Sequence, residues 1–103
     1  MIELQTPEPD PIETAIVEWT KSADLYRDGE LVRPGVNLLG GAEHIAKRWA
    51  KVLAPQLRDG NHDRDSLARI LNSKAAGEHV RANSSAPMIA EGLLVMLTGK
   101  GLL

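Results

Sequence analysis

Gly60-Asn61-His62-Asp63 is the stretch of this chain whose residue types come nearest to metal chemistry. An asparagine oxygen and an imidazole nitrogen side by side could each bind one ion of a two-metal centre, which clamps the attacking and leaving oxygens of a phosphoester displacement. Such a centre needs further carboxylates and imidazoles delivered from separate elements. His44 and His79 stand far from His62 in sequence, so none of the three shares the i, i+4 spacing that sets two imidazoles on one helical face. Asp63 and Glu78 are the carboxylates that could join them.

The tetrad is similar to the one used by calcineurin-like metallophosphatases, a family that adds upstream Asp-x-His and Gly-Asp-x-x-Asp motifs. Neither motif occurs in this chain. The stretch therefore reads as a polar connection, in which Gly60 and Asn61 turn the backbone and Asp63 or Asp65 caps the following helix. Cysteine is absent, which removes disulfides, thiolate nucleophiles and thiolate zinc sites together. No nucleophile elbow, phosphate-binding glycine loop or dinucleotide fingerprint is present. The expectation is a protein without catalytic residues, cofactor or metal.

The elements that position these side chains follow from periodicity and punctuation. The chain has 103 residues, 43% of them hydrophobic, which fits one domain with an aliphatic core. Its only aromatic residues are Trp19, Tyr26 and Trp49. Residues 1–10 read as a flexible arm and residues 11–103 as a single helical domain. Asp10, Pro11 and Glu13 supply cap, first-turn proline and capping-box spacing, and Ile12, Ala15, Ile16, Trp19, Ala23 and Tyr26 follow at helical intervals, which predicts a helix over 11–27. The glycine- and proline-rich run from Arg27 to Gly41 reads as a loop with one short strand or turn at Leu31 and Val32. A second helix starts after Gly41 and weakens at Pro55. Beyond the polar connection come a short helix with Leu67, Ile70 and Leu71, another over "KAAGEHVRA", and a last helix opened by Ser85 and Pro87.

The sum is an all-α bundle of four or five helices, with Trp19 and Trp49 packed on the last one. That helix is apolar almost all round, with Glu91 its single charged residue, so residues 87–98 are expected inside the bundle or across a homodimer. No apolar run approaches the roughly 18 residues of a membrane span, and no leader pattern opens the chain, which predicts a cytoplasmic protein without a membrane partner.

Charge is uneven along the chain. Residues 1–30 carry eight acidic and two basic side chains, whereas residues 31–103 carry ten basic and six acidic ones. Glu13, Glu18 and Asp24 would form an acidic face on the first helix, a docking surface for a basic protein partner. On the second helix His44, Lys47 and Lys51 recur at three- and four-residue spacing, a stripe able to meet phosphates.

Residues 65–103 resemble the helix-turn-helix core of winged-helix regulators: helix, short helix, turn, longer helix, then Leu94, Leu97, Gly101, Leu102 and Leu103 at the positions that close the recognition helix and begin the wing. The wing itself is missing. The resemblance implies that the helix opened by Ser84 and Ser85 enters the major groove. A nucleic-acid surface would then comprise Lys47, Arg48, Lys51, Arg81, Ser84 and Ser85. Between Ala86 and Gly99, however, there is no Arg, Lys, Asn or Gln to read base edges. Two functions follow. The favoured one is a small adaptor or inhibitor that docks on another protein, in the style of compact phage- or mobile-element-encoded inhibitors; the alternative is a DNA-binding regulatory or replication-accessory protein.

Overall fold

A computed structural model of the chain describes residues 10–73, residue 76 and residues 83–103. The N-terminal arm expected over residues 1–10 falls outside them apart from Asp10, as do most of the "KAAGEHVRA" helix and, within it, Glu78, His79 and Arg81. The elements in chain order are α1 (Pro11–Lys21), β1 (Ala23–Arg27), β2 (Glu30–Val36), α2 (Glu43–Arg58), α3 (Arg64–Leu71), a 3-10 turn over Asn83–Ser85, and α4 (Ala86–Gly99). The fold is α+β. The all-α expectation is overturned by the antiparallel pair β1–β2.

The correction has a local cause. Ala23 and Tyr26 sit at helical spacing, but the chain adopts the period of two of a strand, in which Ala23 and Leu25 are buried while Asp24 and Tyr26 are half-buried. The turn decides between them. Asp28 and Gly29 both take positive φ, 52° and 85°, the two-residue turn whose twist matches paired strands. Helix α1 closes at Lys21: the Thr20 hydroxyl donates to the Ile16 carbonyl (2.6 Å), and the Ser22 amide to that of Trp19 (3.1 Å). The segment expected as a loop thus becomes the second strand, paired Arg27 to Glu30, Tyr26 to Leu31 and Leu25 to Arg33, with irregular register between.

Capping residues behave as their chemistry predicts. Asp10 accepts the Ile12 amide (2.9 Å) and Asp63 the Ser66 amide (3.0 Å). Helix α2 continues through Pro55 to Arg58, with Pro55 itself exposed, so the carbonyl left without an amide partner one turn earlier can be hydrated. The end of α4 is a Schellman cap: the Leu102 amide donates to Leu97 (2.9 Å) and the Gly101 amide to Thr98 (3.1 Å).

One core joins the four helices and β1, with Val36 of β2 packed against it. Ile16 from α1, Leu25 from β1, Trp49 and Leu53 from α2, Leu67 and Leu71 from α3, and Ile89, Leu93 and Leu97 from α4 are all buried in it. Most of the apolar surface of α4 is thus covered within the chain, and Val95 is its one exposed large hydrophobic residue. Among the described residues, no helix is long and apolar enough to cross a membrane.

Candidate functional site

Helices α1 and α2 run antiparallel, and an ion pair ties them at each end. Asp10, at the start of α1, meets Arg58, at the end of α2. Lys21, at the end of α1, lies 3.3 Å from Glu43, at the start of α2. Between these ties lies a groove of about 420 Å³. Glu13 and Glu18 line it from α1, Lys47 and Lys51 from α2, and Thr14, Val17 and Ala50 lie between them. Beyond the Lys21–Glu43 pair a second hollow of about 330 Å³ continues, lined by Thr20, Asn37, Leu39 and Ala46 among others.

The groove follows from the two amphipathic patterns. Ile12, Ala15 and Ile16 turn one face of α1 inward, and Ala46, Trp49, Ala50 and Leu53 do the same for α2. The flanks left over are acidic on the first helix and basic on the second. Among the described residues, none of Glu13, Glu18, Lys47 and Lys51 has an ion-pair partner within 4.0 Å. Each wall therefore presents unpaired charge, facing the opposite charge across a gap.

This arrangement sorts the residues expected from the sequence. Glu13 and Glu18 share one wall, while Asp24 leaves them for β1, where its Oδ1 accepts the Gly35 amide (2.8 Å) and braces the hairpin. Lys47 and Lys51 form the opposite wall, and Arg48 is exposed on α2 outside the groove lining. Ser84 lines a separate hollow of about 230 Å³ with Tyr26, Arg27, Arg64 and Met88. Ser85 is half-buried at the start of α4 and makes no side-chain capping bond. Arg81 lies outside the described residues.

The Gly60–Asp63 stretch is engaged in local bonding. The Asn61 side-chain amide donates to Gln56 Oε1 (3.1 Å) and Ser66 Oγ (3.0 Å), its Oδ1 accepts the Asp63 amide (3.3 Å), and His62 Nε2 lies 3.2 Å from the Leu57 carbonyl oxygen. Among the described residues, no group of three or more His, Asp or Glu side chains is placed to hold a metal ion. His62→Ala is expected to lower stability by less than about 1 kcal/mol, the net worth of one partly exposed hydrogen bond. Thermal melts with and without EDTA should coincide for both proteins; a chelator-sensitive midpoint in the wild type alone would contradict the structural role.

A cluster that sequence reasoning missed holds the hairpin to α4. Glu91 accepts the Gly29 amide at 2.7 Å through Oε2 and the Asp28 amide at 3.0 Å through Oε1. Arg64 Nη1 lies 3.0 Å from Glu91 Oε1 and 3.1 Å from Asp28 Oδ1. The Gly29 amide, with help from Arg64 and the Asp28 amide, holds the Glu91 carboxyl below its ordinary pKa against the opposing effect of desolvation. Arg64 is held charged by Glu91 first and Asp28 second. The signal was available: a lone acidic residue in an otherwise apolar helix, and an Asp-Gly turn with two amides to satisfy.

Comparison of the chain with protein-family models, with curated proteins and with solved structures finds no match.

Proposed function

We propose that this protein is a non-enzymatic docking module, of the adaptor or inhibitor kind, that engages another polypeptide through the α1–α2 groove. The observation that carries this reading is the pair of oppositely charged, unpaired walls over an apolar floor of Val17 and Ala50. Complementary charge of both signs selects and orients a protein surface, and an amphipathic helix with one basic and one acidic flank has the matching pattern. The charges of duplex DNA are all negative phosphates, which Lys47 and Lys51 attract and Glu13 and Glu18 repel. The nucleic-acid alternative also divides its residues between hollows, with Lys47 and Lys51 in one and Ser84 in another.

Two measurements test the choice. Capture on immobilised protein should retain a partner that both Glu13→Lys/Glu18→Lys and Lys47→Glu/Lys51→Glu fail to retain. On random duplex DNA the wild type should show no retardation even at low salt. Retardation that weakens steeply with salt and disappears in the Lys47→Glu/Lys51→Glu protein would transfer the function to the DNA-binding class.

A further inference from the structure

The groove carries its own complement. Lys21 sits beside Glu43 where the antiparallel helices begin their contact. Moving back along α1 and forward along α2 from that pair brings Glu18 level with Lys47, then Glu13 level with Lys51. Three charge pairs therefore face each other across the groove, Lys21–Glu43 in one sense and the other two in the reverse, and only the Lys21–Glu43 pair is closed.

We infer that the partner this groove fits is a second copy of the chain, seated face to face as a twofold homodimer. This rests on the reading of the groove as a docking face and names its occupant. A face-to-face twofold axis lies in the plane of the contact. If it runs along the groove, the acidic wall of each copy lies over the basic wall of the other, at unchanged height along the helices. Glu13 then meets Lys51 of the partner subunit, Glu18 meets Lys47 of the partner subunit, and Lys21 meets Glu43 of the partner subunit, each pair made twice. An axis across the groove would set acid over acid. Charge alone thus selects one of the two orientations, although either would stack four helices. Thr14 and Val17 supply a narrow seam between the charged rows, with Ala50 buried beneath it. Exposed ion pairs contribute little singly, so the dimer is weak and salt-sensitive.

Sedimentation of the full chain over a concentration series at low and high salt tests this. The wild type should form dimers as concentration rises at low salt and lose them at high salt. Glu13→Lys/Glu18→Lys and Lys47→Glu/Lys51→Glu should each be monomeric alone, form a heterodimer when mixed in equal amounts, and regain the homodimer when all four changes are combined in one chain. The four residues lie on the surface, and circular dichroism of each variant confirms that it is folded. A wild type that stays monomeric at every concentration and at low salt overturns the self-association. So does a dimer that survives in both variants, which would place the contact elsewhere. Either result leaves the docking groove itself to the capture experiment, where loss of charge dependence removes that broader reading.

Discussion

Gly92→Ala is expected to destabilise the protein by about 2 kcal/mol, although alanine is the better helix former by about 1 kcal/mol. A Cβ at this position would lie 2.5 Å from the Asp24 carbonyl oxygen and 2.6 Å from Trp19 Cζ2, both closer than real contacts allow. Gly92 is the notch through which α4 approaches β1 and α1 together. The Asp24 carbonyl belongs to the paired hairpin, so relief requires the strand backbone to move as well as the Trp19 indole. For a domain of this size the melting temperature should fall by roughly 10 °C. Gly99 provides the matched control. It lies in the same helix, and an added Cβ there meets nothing within 4 Å. Gly99→Ala should therefore raise stability by a few tenths to about 1 kcal/mol. Opposite signs for the two substitutions would establish that close approach governs Gly92; a stabilised Gly92→Ala protein would refute it.

Removing the Glu91 carboxylate is the second large effect. Glu91→Ala leaves the Asp28 and Gly29 amides without their acceptor and Arg64 without its main partner, and it should cost about 2 kcal/mol at neutral pH. Glu91→Gln keeps the shape but loses the charge, so its loss should be smaller. The pH dependence has a definite sign. The folded-state pKa of Glu91 lies below the ordinary 4.5, so the unfolded chain takes up the proton first as pH falls. The stabilisation is complete above the ordinary value and disappears as pH drops through the lower folded-state value. Urea unfolding of wild type and Glu91→Gln should differ most near neutrality and converge in acid. A constant difference across that range would show that the effect does not come from the Glu91 charge.

Much of the fold is legible in the sequence. Asp10, Pro11 and Asp63 announce their helices because a cap is a local exchange between one side chain and the amides two or three residues away. The inward faces of α1 and α2, and the burial of α4, follow from periodicity, since water removes the same stripe wherever the helix comes to rest. The hairpin departs from the expected helix because the turn at Asp28 and Gly29 prevails over the helical spacing of Ala23 and Tyr26. Two short strands gain little from their own side chains. They persist here because β1 packs on α4 and Glu91 satisfies the turn, contacts made across more than sixty residues of chain.

The candidate site divides along the same line. Residue types along each helix determined that α1 would be acidic and α2 basic on the side away from the core. They could not determine that the two flanks would face each other, because separate helices have no fixed relative direction until the hairpin between them reverses the chain. Read separately, Glu13 and Glu18 pointed to a basic protein partner, and Lys47 and Lys51 to phosphates. The antiparallel packing of α1 on α2, tied by Asp10–Arg58 and Lys21–Glu43, made the two rows opposite walls of one groove. Local sequence thus set caps, helical faces and charge signs, which depend on neighbours a few bonds away. Tertiary structure alone set the notch at Gly92, the Glu91 clasp and the pairing of the charged walls, which depend on close packing between distant segments.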